Sequence, residues 1–320
     1  MGIQIEHVPS VLRRGTVLAA MRGALLVTRP LPPRVTIALG AALAAAAGAL
    51  LPLRLRLATN LALGLGRVPP DAVRTFFQNL GRWFGWSMAI YHRGFWGCGV
   101  PDHITFHDSV AHLDAAVARG RGVILASPHQ FCHEIGAAYI SGRHKVVALV
   151  RESRSPWREA MKRRWYEATG MEVVRRPRRS SLVADTLACL RVLREGCLLG
   201  ITPDVLVSPG AGIRVRMFGR AVYLSPGIVV LAMRARSPLV TAYFRWERDG
   251  RLVIHFTEPV EYPAAGDRER TVSEGLQAWC RQCEEYFRLN SGNWMFWLDK
   301  RWTRALRAQP ATPSPRDLPA

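Results

Sequence analysis

Acidic residues are scarce in this chain of 320 residues: 24 Asp and Glu stand against 44 Lys and Arg, a formal net charge of +20. Arginine dominates the basic set. A field of that sign attracts nucleic acid, anionic lipid or an acidic carrier protein, and does not choose among them. No recognised nucleic-acid-binding motif is present, so a nucleic-acid partner is not expected. The cysteines, Cys98, Cys132, Cys189, Cys197, Cys280 and Cys283, are scattered, which points to a reducing compartment and no disulfide framework. Cys280 and Cys283 have Cys-x-x-Cys spacing but no second pair, and read as two thiols on one helix face. Gly-x-Ser-x-Gly is absent, which removes the nucleophile elbow. Neither His-Glu-x-x-His nor His-x-x-Glu-His occurs. There is no internal repeat and no convincing cleavable signal.

What is present is enough apolar material for a sizeable core, 49% of residues. The longest apolar run, residues 35–53, is rich in Ala and preceded by Arg13, Arg14, Arg22 and Arg29. It has about the length of a membrane span, with Pro52 at its end. A spanning helix, a shallow monotopic anchor and a buried helix all fit it. Leu53-Arg-Leu-Arg-Leu-Ala58 then sets arginines beside leucines, as at a lipid headgroup surface. Asp71 can cap the next helix, in which Val73, Phe76, Phe77, Leu80, Trp83 and Phe84 follow helical spacing. We divide the chain into a basic, apolar, membrane-associating segment (1–54), an α/β domain (55–302) and a disordered Pro-rich tail (303–320).

From residue 104 strands and helices alternate. Strands are expected at 104–107, 123–126, 146–150, 171–174, 197–201, 213–218, 239–244 and 252–257. Helices are expected at 109–119, 130–140, 156–168, 181–195, 225–235 and 269–289. This order implies an α/β fold with a mixed sheet flanked by helices, and a site at the C-terminal ends of strands.

The stretch that organises the chain is Gly122-Val-Ile-Leu-Ala-Ser-Pro-His-Gln-Phe-Cys-His-Glu134. Its apolar run ends at Ser127-Pro128, which puts His129 in a strand-to-helix turn and Glu134 in the first helical turn. A carboxylate bonded to one ring nitrogen fixes the tautomer and supports the imidazolium formed when the other nitrogen takes a proton. His129 is then a general base for a hydroxyl or amine, with Glu134 as its partner. Later strand ends carry Arg151, then Arg175, Arg176, Arg178 and Arg179, then Thr202-Pro203-Asp204. Phe218-Gly219-Arg220 and Leu224-Ser225-Pro226-Gly227 follow as a turn into a helix. Arginine forks suit phosphate, which marks Arg151, Arg175, Arg178 and Arg179 as binders of an anionic substrate group.

At these residues the sequence resembles the lauroyl/myristoyl acyltransferases of late lipid A biosynthesis, within the glycerolipid acyltransferase superfamily. The matching pieces run from about Pro52 to Trp302. They are Asn60-Leu61, Phe77-Gln-Asn-Leu-Gly81, the block from His129 to Glu134, Val150-Arg151, Leu193-Arg-Glu-Gly196, Pro203-Asp204, Phe218-Gly219 with Pro226-Gly227, and Asn293-Trp-Met-Phe-Trp297 with Arg301-Trp302. The resemblance implies transfer of a fatty acyl group from a thioester of acyl carrier protein or coenzyme A to a lipid hydroxyl. The setting it implies is the cytoplasmic face of the bacterial inner membrane. It makes His129 the general base, Glu134 its partner, and Arg151 and Asp204 supporting residues; no cofactor or metal is expected. The chain departs from the family in Gln130-Phe-Cys-His133 and in Val205-Leu-Val-Ser208, which bears on the acceptor: lipid A-like, or another lysolipid. A zinc-dependent hydrolase using His129 and His133, four residues apart, is the alternative chemistry.

Overall fold

The computed structural model describes residues 19, 22–177, 182–260 and 267–308. Seven strands form one sheet: β1 (Ile104–Phe106), β2 (Val123–Ala126), β3 (Val146–Arg151), β4 (Glu172–Arg176), β5 (Leu198–Ile201), β8 (Leu239–Trp246) and β9 (Leu252–Phe256). Their order is β1-β9-β8-β2-β5-β3-β4. β2 runs parallel to β5 and β8, and β3 runs parallel to β5 and β4. At the other side β9 pairs antiparallel with β8, and β1 joins it in parallel. β2 reads as an unbroken apolar run because both its faces are covered. Ile124 and Ala126 enter one core and Val123 and Leu125 the other, as expected for a buried parallel strand.

The described helices are α1 (Pro33–Ala49), α2 (Leu51–Leu65), α3 (Ala72–Arg93), α4 (Val110–Ala118), α5 (His133–Ser141), α6 (Pro156–Thr169), α7 (Leu182–Arg194), α8 (Gly227–Ala235), α9 (Arg268–Leu289) and α10 (Lys300–Arg307). A separate antiparallel hairpin joins β6 (Ile213–Met217) to β7 (Arg220–Leu224). The stretch containing β7 was expected as turn and helix approach. It is a strand because Phe218 and Gly219 both take positive φ, 52° and 69°, the two-residue turn that sends a strand straight back on its partner. β4 also continues past its expected end, so Arg175 and Arg176 are strand residues. Asp71 holds the N-cap position of α3 without a capping bond, its carboxylate paired instead with Arg74 at 3.1 Å. All six cysteines are free and buried.

The apolar run at 35–53 is not one helix. α1 and α2 meet at 82°, and no single helix among the described residues is long and apolar enough to cross a membrane. Pro52 sits in the first turn of α2, where its missing N–H costs nothing, whereas in a continuous helix its ring would strike the carbonyl of Gly48. The boundary expected at 54–55 therefore falls inside α2. The first residues of the expected tail are helical: α10 runs to Arg307, with Trp302, Thr303 and Leu306 buried, and residues 309–320 lie outside the described residues.

α1 lies on α3 at contact distance because both present glycine. A Cβ added to Gly40 would stand 2.6 Å from the Gly81 carbonyl oxygen and 2.8 Å from the Gly85 nitrogen. Backbone cannot swing aside as a side chain can. Gly40→Ala is therefore expected to lower stability by about 1–3 kcal/mol from overpacking, although alanine is otherwise favoured in a helix by about 1 kcal/mol. Gly23→Ala, with nothing within 4 Å of the new methyl, is the control. Thermal unfolding of the two variants in detergent checks this, and an unchanged midpoint for Gly40→Ala would show that the helices separate at no cost.

Candidate active site

Ser127 and Pro128 carry the chain off β2, and Ser127 still donates to the Ile201 carbonyl at the end of β5. The next residues are laced to the segment before α10. Met295 N–H donates to the His129 carbonyl at 2.9 Å, Phe131 N–H to the Asn293 carbonyl at 3.2 Å, and Gln130 bridges to Trp294. The Gln130 amide is fully buried and spans to β8, donating to the Ala242 carbonyl at 2.9 Å and accepting from Phe244 N–H at 3.1 Å. Cys132 ends the loop in the left-handed region at φ 67°, a conformation an L-residue adopts only when its surroundings enforce it. The result is a histidine on a backbone with little freedom to move.

The imidazole of His129 faces Asp204, whose loop leaves the neighbouring strand β5. His129 Nδ1 lies 2.5 Å from Asp204 Oδ1, and the His129 backbone N–H donates to Oδ2 at 2.8 Å. The indole of Trp294 donates to Oδ2 at 2.9 Å, and that of Trp302 to the Asp204 backbone carbonyl at 2.9 Å. The Asp204 side chain is 0% exposed and that of His129 24%. One face of the imidazole stacks on Phe296, ring centroids 4.4 Å apart. With Nδ1 committed to a carboxylate, Nε2 is the nitrogen left for proton transfer.

Burial lowers the imidazole pKa, but the charge and hydrogen bond of Asp204 outweigh it, with Glu134 adding, and the group lies above the ordinary histidine value. Burial likewise pushes the Asp204 carboxyl up. The facing imidazole and the bonds from His129 and Trp294 overcome that and hold it below the usual carboxylate range. A charged pair is the arrangement that both shifts favour.

Glu134 is not the partner of the ring. It lies in the first turn of α5, where its carboxylate accepts the Tyr166 hydroxyl at 2.9 Å. No described hydrogen bond joins it to His129; it acts on the imidazole through charge alone. The Tyr166 hydroxyl is pushed far up by burial and by Glu134, and so stays a donor. His133 Nδ1 meets the Gln130 carbonyl at 2.7 Å, and burial lowers its pKa. Its ring centroid stands 5.5 Å from that of His129, but no group of three or more His, Cys, Asp or Glu able to hold a metal forms among the described residues. Burial pushes the Cys132 thiol well up, which disfavours a thiolate.

The arginines stand farther along the same edge of the sheet. Arg151 is the last residue of β3 and is exposed. β3 and β4 are two and three strands from β2, roughly 10 and 14 Å at the usual strand spacing. Arg175 is held by Glu159 at 2.7 Å, which also accepts Ser153 N–H at 2.8 Å and pairs with Lys162 at 3.2 Å. Arg178 and Arg179 lie outside the described residues. Trp294, Trp302, Phe296, Gln130 and Tyr166 all shape the site, yet none was singled out by spacing. The available signals were the density of aromatics in Asn293-Trp-Met-Phe-Trp297 and the place of that segment and of Trp302 among the pieces that carry the resemblance.

A family model described as bacterial lipid A biosynthesis acyltransferase matches residues 9–304. No curated protein matches the sequence.

The two pKa shifts fix a pH dependence. Asp204, lowered on folding, stabilises above the ordinary carboxylate value and loses its contribution as pH falls through its folded pKa. His129, raised on folding, stabilises below the ordinary histidine value and loses its contribution as pH rises through its folded pKa. The stability difference between wild type and Asp204→Asn is therefore expected to be largest at about pH 5–6 and to shrink on the alkaline side. In the variant, NMR titration should find the His129 pKa well below its wild-type value. An unchanged imidazole titration would mean that Asp204 does not charge-pair with the ring.

Proposed function

The chain belongs to the bacterial lipid A biosynthesis acyltransferase family, and from that membership we propose that it transfers a fatty acyl group from a thioester of acyl carrier protein or coenzyme A to a hydroxyl of a lipid A-like acceptor. That it is an acyltransferase follows from the family; donor and acceptor are our reading. The observation that carries the mechanism is the 2.5 Å contact of His129 Nδ1 with the buried Asp204 carboxylate. It leaves Nε2 basic and supports the charge that appears when Nε2 takes a proton.

In this mechanism His129 Nε2 removes the proton of the acceptor hydroxyl as its oxygen bonds to the thioester carbonyl carbon. The tetrahedral intermediate collapses by breaking the C–S bond, and the proton on Nε2 passes to the departing thiolate. Asp204 is the group that orients and stabilises the imidazolium, a role expected of Glu134. Glu134, tied to Tyr166, supplies additional negative charge. The raised imidazole pKa sets the acid limb: His129 must be neutral, so kcat/KM rises with pH through that value and then levels. Arg151 and Arg175, along the same edge of the sheet, act with Arg178 and Arg179, which follow them in sequence, as receptors for phosphate on donor or acceptor. Asp204, expected to support the site and its substrate binding, is buried behind the ring, and orientation is the role its contacts support. The setting we propose is the cytoplasmic face of the inner membrane. The exposed Val35, Leu43, Leu50, Leu51 and Leu55 of α1 and α2 support contact with lipid by a bent helix pair lying at the surface.

The test is acyl transfer in detergent from acyl carrier protein or coenzyme A thioesters to a lipid A precursor, with mass spectrometry of the lipid product. His129→Ala is expected to cost about 10²–10⁴-fold in turnover with the fold retained, and Glu134→Gln less. A chelator is expected to leave the rate unchanged. Wild-type turnover in a folded His129→Ala protein would sink the mechanism, and zinc-restored activity after chelation would favour the hydrolase chemistry.

Arg151 and Arg175 should differ. Arg151 is exposed, whereas Arg175 already answers Glu159. Arg151→Ala is expected to raise one substrate's KM roughly tenfold or more, the equivalent of a charge-assisted bond of about 1.5–3 kcal/mol. Arg151→Lys should recover part of it, and Arg175→Ala should have the smaller effect. Equal Michaelis constants in all variants would reduce these arginines to a general positive field.

A further inference from the structure

α10 packs against α2 around Arg56, Asn60 and Gly64. Asn60 donates to the Trp297 carbonyl at 2.6 Å and to Thr303 Oγ1 at 2.9 Å. Arg56 Nη2 donates to the Leu298 carbonyl at 2.9 Å and to Thr303 Oγ1 at 3.2 Å. Between the two helices is an open groove of about 320 Å³ lined by Arg56, Lys300, Thr303, Arg304 and Arg307. Every lining residue except Thr303 is cationic, and none is acidic. Lys300, Arg304 and Arg307 are exposed, and no salt bridge among the described residues involves any of them. The adjacent acid, Asp299, is occupied in capping α10 and in a contact with Arg301 at 3.6 Å. Like charges gathered without a counter-charge repel one another, and an anion in the groove would relieve that.

What lies beside the groove selects the anion. Where α1 turns into α2, one turn or so before Arg56, Leu50, Leu51 and Leu55 are 56%, 63% and 57% exposed. Arg54 is exposed among them. Large apolar side chains flanked by arginines are the composition of a surface that sinks to headgroup depth, leucines into the acyl region and cations at the phosphates. An acidic protein would account for the cations and leave the leucines wet.

We propose that the groove between α2 and α10 binds the phosphate groups of anionic phospholipid at the bilayer surface, separately from the catalytic site, with the leucines at the α1–α2 bend inserted beside it. The proposal rests on the reading that the enzyme works at a membrane. It adds a second, electrostatic attachment at the far end of the chain from the basic N-terminal residues. Because α10 directly follows the segment that carries Trp294 and Phe296, lipid seated there also sets the height of His129 above the bilayer.

The experiment is co-flotation of the full chain with vesicles of phosphatidylcholine alone or with phosphatidylglycerol added, at about 0.1 M salt where the Debye length is about 10 Å. The triple variant Lys300→Gln, Arg304→Gln, Arg307→Gln removes three exposed cations and leaves Arg56, which also braces the fold. Arg119→Gln, Arg121→Gln, Arg236→Gln is a control of equal charge from exposed positions at the opposite edge of the sheet. With each cation worth about fivefold near an anionic surface, the groove variant is expected to bind anionic vesicles roughly a hundredfold more weakly. Its binding to neutral vesicles should be unchanged, and the control should stay within a few fold of wild type. Equal loss in both triples, no loss in the groove triple, or equal wild-type binding to neutral and anionic vesicles would overturn the groove while leaving membrane contact intact. Wild-type protein that floats with neither composition would overturn the membrane reading itself. Unchanged vesicle binding together with lost affinity for an acidic acyl carrier protein would assign the groove to that partner and overturn the lipid.

Discussion

A carboxylate with no access to water must be fully answered inside the protein, and Asp204 is such a carboxylate. Left unpaired, a buried charge of this kind costs several kcal/mol, typically about 3–5 when one partner is removed. Its partners come from distant parts of the chain: the ring and backbone N–H of His129 after β2, the indole of Trp294 before α10, and the indole of Trp302 on α10 against its backbone carbonyl. Satisfying one group therefore ties three loops together, and the geometry of the histidine is a by-product of that requirement. Trp294, Trp297, Trp302 and Phe218 pack ring on ring around it, at centroid separations of 4.8–6.3 Å. They keep water out and the local dielectric low, which strengthens the pair they enclose.

Apart from β7, the strands and helices of the α/β domain were legible because each is a local pattern, an apolar run or a helical stripe closed by Gly or Pro. The position of His129 was legible for the same reason, since Ser127-Pro128 marks the strand end. The identity of its partner was not. Glu134 is five residues away in sequence and Asp204 seventy-five, yet β2 and β5 are hydrogen-bonded neighbours, so the distant carboxylate is the one that arrives at Nδ1. Nothing in the spacing of either acid encodes that adjacency. Trp294 was visible only as part of the aromatic segment Asn293-Trp-Met-Phe-Trp297; its role comes from the indole N–H aimed at the Asp204 carboxylate.

The N-terminal region shows a different limit. Hydropathy counts side chains and saw a run of membrane length at 35–53. Proline and glycine act through the backbone. Pro52 breaks the run into two helices at 82°, and Gly40, Gly81 and Gly85 let α1 settle on α3 with backbone against backbone. Thr36, Gly40 and Ala44 are the residues of α1 buried by that crossing. Val35, Leu43, Leu50, Leu51 and Leu55 stay exposed along the bent pair, together with most of the alanines of α1.

The parallel strands give the site its direction. β8, β2, β5, β3 and β4 all end at one edge of the sheet, so the loops after them open on the same side. Their charges are sorted along it: the buried acid and histidine at β5 and β2, then Arg151, then the arginines of β4 at increasing distance. A substrate reaching the histidine from the β4 side would pass cations first and arrive at the imidazole last. Such a substrate, anionic at one end with its reacting group well separated from its phosphates, fits a long flexible thioester arm better than a compact metabolite. β2 and the strands that carry the arginines are roughly 10–14 Å apart at the usual strand spacing, which supports the proposed reading in which the phosphate is held away from the acyl carbon.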